Sequence, residues 1–292
     1  MQRVHSTLPA TSLVTAPEVH LLDAVASVIV MDDCGEDAVA LKNLLLQNAL
    51  SPTVARTIGS ALGEFLAQVH GWGRDEDVIA FFEGNAQARS ISAWATYGRL
   101  IETLSGGEGS PNVLRNPPLD ISQSQLSAAG EIADATAHLL RTGKEVFLHG
   151  DFWPGNIMVK FKCEEEEAEV ERIFVLDWEL SKPGLPGFDI GQFCAELYQA
   201  RRFYSSTEEA VSALQEAFLT AYRERHGLGG MTEVARIAQT HLGMHLAVFT
   251  PRNATWGDEG IVREVVSEGV EHIVDDKETS ELRRAIFGPL LG

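Results

Sequence analysis

Eight consecutive residues, His149-Gly150-Asp151-Phe152-Trp153-Pro154-Gly155-Asn156, constrain this chain more than any other stretch. They separate two short runs of β-branched or aromatic residues, 146–149 and 157–161, each of strand length. The octet therefore reads as a loop whose polar side chains are held at fixed separation. A third strand candidate, 173–176, leads into Asp177, 21 residues after Asn156, in Val175-Leu176-Asp177-Trp178-Glu179. Two carboxylates and one carboxamide at strand ends can converge on one point.

That grouping suits phosphoryl transfer. Its transition state is loose, so a protein mainly positions the reactants and offsets charge on the phosphates. Magnesium does the second job with oxygen ligands, typically one or two carboxylates plus substrate phosphates. Asn156 and Asp177 supply such oxygens, and Asp151 is left to accept a proton from an attacking hydroxyl. A metallophosphoesterase reading of the Gly-Asp and Gly-Asn pairs needs further metal-binding histidines and aspartates, which the sequence does not provide.

The remaining pattern sets the fold class. Residues 18–31 read as two short strands around a turn near Asp23 to Ala26. Ser51 followed by Pro52 opens a helix, an N-cap and a first-turn proline, and Val54, Ile58, Leu62, Phe65, Leu66 and Val69 make its apolar face up to His70 and Gly71. Residues 72–120 are mixed, with a helix expected within 94–104 and a loop over 105–118. A second long helix is expected over 122–141, ended by Gly143. Six glutamates fall within 163–171, which favours a solvated hairpin tip. From Asp189 onward the pattern is helical, with a capping box expected at Ser206 and Glu209 and further helices at about 233–249 and 259–275. Strands, helices, a strand cluster and more helices, without internal repeat, argue for α+β rather than an alternating sheet.

Composition narrows the partners. Of 292 residues, 42 are acidic and 23 basic, a formal charge of −19 that repels nucleic-acid backbones and anionic membranes. The hydrophobic fraction of 45% is that of a folded chain. Cys34, Cys163 and Cys194 form no CxxC pair, and no apolar run is long enough for a secretory core or a membrane span, so a reducing, cytoplasmic location is expected.

The octet with its downstream Asp-Trp-Glu resembles the aminoglycoside phosphotransferase and choline kinase-like family, relatives of the protein kinases. The resemblance spans residues 17–275. It implies a kinase-like α+β fold with a mostly helical carboxyl-terminal lobe, the cofactors ATP and Mg2+, and a small-molecule acceptor such as an amino sugar or a choline-like alcohol. By resemblance Asp151 is the catalytic base, Asn156 and Asp177 are metal ligands, and His149 and Asp189 (in Gly187-Phe188-Asp189-Ile190-Gly191) support the loop. Val30-Met31-Asp32-Asp33-Cys34-Gly35 resembles the hinge, which makes Met31, Asp32, Asp33 and Cys34 cofactor-binding candidates.

The sequence departs from the family pattern ahead of that hinge. The family carries there a nucleotide-binding lobe of roughly 90 residues with a glycine-rich loop and a strand lysine. Here the residues before the hinge contain neither Gly nor Lys. Residues 1–35 therefore read as the remnant of that lobe plus the hinge, and 36–292 as the catalytic lobe. The alternative is a truncated or degenerate, inactive relative that acts by binding. His241 and His245 sit at i and i+4 among Leu242, Met244, Leu246 and Val248, which points to packing rather than a metal site. Gly106-Gly107-Glu108-Gly109 follows a helix and reads as a connector, not a phosphate loop. Trp153 and Trp178 are expected to pack the loops, with the lining of the phosphate pocket as the alternative for either.

Overall fold

The helices that start at Pro52, Glu76, Ala86, Gln123, Glu259 and Glu281 each follow a residue whose side chain caps them. The structure is a computed structural model that describes residues 1–162, 169–227, 229–253, 257–275, 277 and 279–292. In chain order it runs α1 (Gln2–Thr7), β1 (Val14–Thr15), β2 (Val19–Asp23), β3 (Val28–Met31), β4 (Val39–Ala40) and α2 (Leu41–Leu46). Helices α3 (Pro52–Trp72), α4 (Glu76–Glu83) and α5 (Ala86–Ala93) follow, then a π turn (Trp94–Gly98), α6 (Leu100–Leu104) and α7 (Gln123–Thr142). Strands β5 (Val146–Leu148), β6 (Ile157–Phe161), β7 (Val170–Val175) and β8 (Lys182–Gly184) carry the loops of interest. Helices α8 (Gly187–Phe203), α9 (Glu208–His226), α10 (Met231–Phe249), α11 (Glu259–Val274) and α12 (Glu281–Leu291) come after them.

Ser51 caps α3 by accepting from the Val54 N–H, and Ser122 with Gln125 forms a full capping box on α7. The box expected at Ser206 and Glu209 is not made. Residues 205–207 form a tight turn instead, and the Thr207 hydroxyl donates back to Tyr204 O and Ala200 O at the end of α8. The helix expected over 94–104 starts earlier and is widened by the π turn. Helices α4 and α12 had no separate signal in the periodicity. The acidic tip expected over 163–171 lies largely outside the described residues; its base closes through Lys162 N–H to Glu169 O.

Helices α3 and α9 form the centre of the larger core. Ile58, Leu62 and Phe65 meet Leu214, Phe218 and Tyr222 there. Their backbones approach closely because Gly59 and Gly63 have no side chain. A Cβ on either would lie 2.2 Å from a carbonyl oxygen of α9, Leu214 O or Phe218 O. Val4, Leu8, Val14 and Ala16 join the same core, so the first residues pack onto the body of the lobe. A second core gathers α7, α10 and α11 around Leu100, Leu140, Met244 and Val266.

Three small sheets position the loops. One has the order β1-β7-β6-β4, with β1 parallel to β7 and the others antiparallel. Strands β5 and β8 pair antiparallel, Val146 with Gly184 and Leu148 with Lys182. Strands β2 and β3 form the expected hairpin, and its apolar side chains are exposed, Leu22 at 67%. The result is the α+β, mostly helical architecture that the sequence indicated. Among the described residues no helix is long and apolar enough to cross a membrane.

Candidate active site

The octet leaves β5 through a turn that only glycine can make. Gly150 has φ +84°, and a Cβ there would lie 2.1 Å from Leu180 O. Phe152 is fully buried against Phe193 and Phe218 and pins the middle of the loop. Asn156 then enters β6, and its carbonyl accepts from the Leu176 N–H at 2.8 Å, which ties the loop to the end of β7 beside Asp177. Asp177 itself has φ +60°, a left-handed conformation that Asp and Asn tolerate better than most residues.

The Asp151 carboxylate is held oxygen by oxygen. Gln192 Nε2 donates to Oδ1 at 2.6 Å, and Asn156 Nδ2 donates to Oδ2 at 3.0 Å and to the Asp151 carbonyl at 3.0 Å. Each carboxylate oxygen keeps a lone pair for another donor. Because the Asn156 nitrogen is engaged, its carboxamide oxygen is the atom left to face a ligand. Among the described residues the Asp177 carboxylate has no hydrogen-bond or ion-pair partner, and its side chain is exposed.

Behind the loop, Asp189 at the start of α8 is fully buried and accepts three hydrogen bonds. These come from the N–H groups of His149 and Gly150, both at 2.9 Å, and from His70 Nε2 at 3.1 Å. Burial opposes its ionisation, but the hydrogen bonds from His70 and from the Gly150 N–H outweigh it and hold the carboxyl below its ordinary range. The His70 Nδ1 is 2.8 Å from the Tyr222 hydroxyl, so the brace reaches α3 and α9. Burial pulls His149 down, which keeps it neutral. Its Nε2–H then donates to Leu176 O at 2.8 Å while Nδ1 accepts the Asp151 N–H at 3.2 Å. Trp178 covers this ring at 4.4 Å and stacks on Phe147, as the sequence suggested for loop packing. Trp153 packs on its own loop as well, where a Cβ on Gly155 would lie 2.2 Å from its ring, and the Lys42 ammonium sits over it, 4.8 Å from the ring centre.

Two cavities open at Asp151 and share Gln192, His245 and Phe249. The wider, about 410 Å3, reaches Lys42, Trp153, Glu196 and Arg252. The narrower, about 160 Å3, lies between α5, the π turn, α8 and α10. Burial opposes charge on Glu196, but hydrogen bonding to His245 at 2.9 Å and the Lys42 ammonium 3.7 Å away hold it low and ionised. His241 bonds the Tyr97 hydroxyl through Nδ1, and burial pulls it down to about 3. The two histidines thus pack and hydrogen-bond. No group of three or more His, Cys, Asp or Glu suited to a metal occurs among the described residues. A magnesium bound by one carboxylate, one carboxamide and substrate phosphates does not need such a group. The oxygens of Asn156 and Asp177 fit that donor set.

The structure therefore brings together His149, Asp151, Asn156, Asp177 and Asp189. Met31 ends β3, and Asp32, Asp33 and Cys34 follow it at the exit of the exposed β2–β3 hairpin. Asp32 there accepts from His20 and from the Glu18 N–H, and a Cβ on Gly35 would touch Lys160 of β6 at 3.6 Å. Sequence reasoning missed Gln192, Lys182 and Glu196. Lys182 is 2% exposed, donates to Leu180 O at 2.9 Å and Gly150 O at 3.4 Å, and is drawn down to about 8 by burial. Gln192 lies three residues after Asp189, in the second turn of a helix that abuts the loop. That spacing was the one signal that could have flagged it.

Residues 1–235 match the phosphotransferase enzyme family. The chain belongs to that family. Among curated proteins it is 28% identical over 267 residues to a 4-hydroxytryptamine kinase of Psilocybe cyanescens, covering 88% of this chain and 66% of that protein. It is 26% identical over 267 residues, with the same coverage, to the 4-hydroxytryptamine kinase of Psilocybe cubensis. The chain thus spans just under two thirds of the length of these relatives. Among solved structures it is similar to a choline/ethanolamine kinase family protein from Mesorhizobium loti, with 17% identity, a TM-score of 0.47 and coverage of 95% of this chain and 79% of that one.

Proposed function

We propose that this phosphotransferase family member moves the γ-phosphoryl group of ATP to a hydroxyl of a small organic acceptor. The observation that carries the reading is the Asp151 carboxylate, oriented by two amides at the mouth of two cavities, with the unpaired oxygens of Asn156 and Asp177 on the same loop edge. Asp151 accepts the hydroxyl proton as the acceptor attacks. Asn156 and Asp177 would hold Mg2+, which when bound neutralises charge on the phosphates. Asp189 and His149 keep the loop in shape. Met31 to Cys34 would meet the nucleotide base, a role supported by the family resemblance of that segment to a hinge. On the same resemblance, residues 1–35 belong to the nucleotide-binding side and 36–292 form the catalytic lobe.

The relatives are named for a hydroxylated amine, and the family resemblance adds amino sugars and choline-like alcohols to the acceptor candidates. A cytoplasmic location is supported by free thiols at Cys34 and Cys194. Asp151→Ala, assayed by ADP release with Mg-ATP and an acceptor panel, should lower turnover about 10²–10⁴-fold while circular dichroism stays unchanged. Unchanged turnover rejects the assignment of the base. Calorimetry that finds no Mg-dependent ATP binding at millimolar nucleotide rejects the whole reading.

A further inference from the structure

The backbone of His149 and Gly150 leaves the sheet, yet side chains meet all four of its polar groups. Strand β5 ends one residue earlier, at Leu148, which pairs with Lys182 of β8. The two N–H groups go to Asp189. The two carbonyls are met by consecutive residues at the start of β8. Ser181 Oγ donates to His149 O at 3.2 Å, and Lys182 Nζ donates to Gly150 O at 3.4 Å. Lys182 also donates to Leu180 O at 2.9 Å, so one ammonium joins the octet to the segment that follows Asp177.

The Gly150 carbonyl belongs to the peptide that enters Asp151, whose N–H meets His149 Nδ1 at 3.2 Å. Gly150 has φ +84°, and the freedom that glycine has there lets this peptide turn over at little steric cost. Turning it over would break the His149 bond and re-aim the Asp151 side chain. A Cβ on Gly150 would lie 2.5 Å from Lys182 Nζ, so the ammonium fills the space that the missing side chain leaves.

Packing alone does not call for a charge at this point. Lys182 is buried, and among the described residues no carboxylate pairs with it, which makes an ammonium costly. Burial draws it down to about 8; Asp189 and Asp151 favour the charge, Arg89 opposes it, and neutral His241 lines the same cavity.

We propose that Lys182 is a positioning residue for phosphoryl transfer, its ammonium holding the Gly150 and Leu180 carbonyls together and so fixing the direction of Asp151. The proposal rests on the phosphotransferase reading. Lys182 acts through the peptide rather than on the reacting atoms. Charged donors bond about twice as strongly as neutral ones, so the hold slackens when the ammonium loses its proton. Turnover is therefore full below about pH 8 and falls as pH rises through that value.

The test uses the full chain and Lys182→Met, with thermal melting to check that the variant folds. ADP release with Mg-ATP and the acceptor panel is followed between about pH 6.5 and 9.5. Hydrogen exchange of residues 149–156, with the intrinsic rise with pH divided out, reads the loop without turnover. Wild-type kcat should fall about threefold or more above pH ~8, and octet exchange should quicken over the same range. Lys182→Met should lose about tenfold or more in kcat at pH ~7, keep its KM for Mg-ATP, and show no alkaline fall. Its octet should exchange faster than wild type at equal pH, with α3 and α9 unchanged. Wild-type turnover and octet exchange that both stay level through pH ~8 overturn the proposal whether or not the variant folds. An alkaline fall that survives in folded Lys182→Met overturns it as well. Octet exchange that quickens as expected, with no ADP release from any acceptor, supports the hold on the loop and refutes the phosphotransferase reading instead.

Discussion

Replacing Asp189 by alanine removes the acceptor of three hydrogen bonds at a point with no access to water. A hydrogen bond to a charged group is worth about 1.5–3 kcal/mol, and a buried donor left without a partner costs about 1–3 kcal/mol. The three donors share one acceptor, so their contributions overlap, and a destabilisation of about 4–6 kcal/mol is expected. That is a large share of the 5–15 kcal/mol typical of a folded domain. Asp189→Asn should cost about half as much, since its carbonyl still accepts while its NH2 faces a donor. Urea unfolding followed by tryptophan fluorescence suits the measurement, because Trp178 packs on His149. A double-mutant cycle with His70→Phe should show coupling of at least about 1 kcal/mol, as the two share a bond. The pH dependence gives a second check. Asp189 is held below the ordinary carboxyl range in the folded state, so its contribution is complete above about pH 4 and is lost as pH falls through the lower folded value. Wild type and Asp189→Asn should therefore begin to approach each other as pH falls below about 4 and converge only below the depressed folded value. An Asp189→Ala midpoint within about 0.5 kcal/mol of wild type, or zero coupling to His70, would refute the brace.

Acid should weaken the fold well before the carboxylates protonate. His241 is drawn down to about 3 and His272 to about 4, chiefly by burial, so below pH ~6.5 the unfolded chain takes up protons that the native state refuses. Each histidine should cost about 2 kcal/mol at pH 5, read as a drop in urea midpoint relative to pH 7; equal midpoints would contradict it. Gly63→Ala should destabilise by about 1–3 kcal/mol, because its Cβ collides with α9 backbone, whereas Gly71→Ala in the same helix has open space and should stabilise by about 0.5–1 kcal/mol. Equal thermal melting shifts for the pair would show that the close approach of α3 and α9 is not what fixes those positions.

The octet loop was legible because its residues are close in sequence. Gly150, Asp151 and Asn156 fall within seven residues, and Asp177 follows at the end of the next hairpin, so strand patterning alone places them at neighbouring ends. The caps at Ser51 and Ser122 were legible for the same reason, since a cap acts within four residues. What failed depends on distance. Gln192 reaches Asp151 from 41 residues away, and His70 reaches Asp189 from 119 away, so neither pairing leaves a periodic trace. The cap at Ser206 failed because the preceding helix claimed the Thr207 hydroxyl and left a tight turn where the box would form. The π turn was hidden because Trp94 to Gly98 keeps an ordinary helical composition while its hydrogen bonds shift by one residue.

The left-handed backbone at Asp177 would split a saturation library at that position into two rankings. Ordered by stability, Gly, Asn and Asp should lead, Ala should follow at about 1 kcal/mol of strain, and Val and Ile should come last. Ordered by turnover, only side chains with a suitably placed oxygen should survive, so Gly drops to the bottom. Glutamate keeps a carboxylate but loses the backbone tolerance, and asparagine keeps the tolerance but loses the charge. Aspartate alone stands high in both orders, so on the proposed metal role Asp177→Asn should lower turnover and Asp177→Gly should abolish it, while both spare the fold.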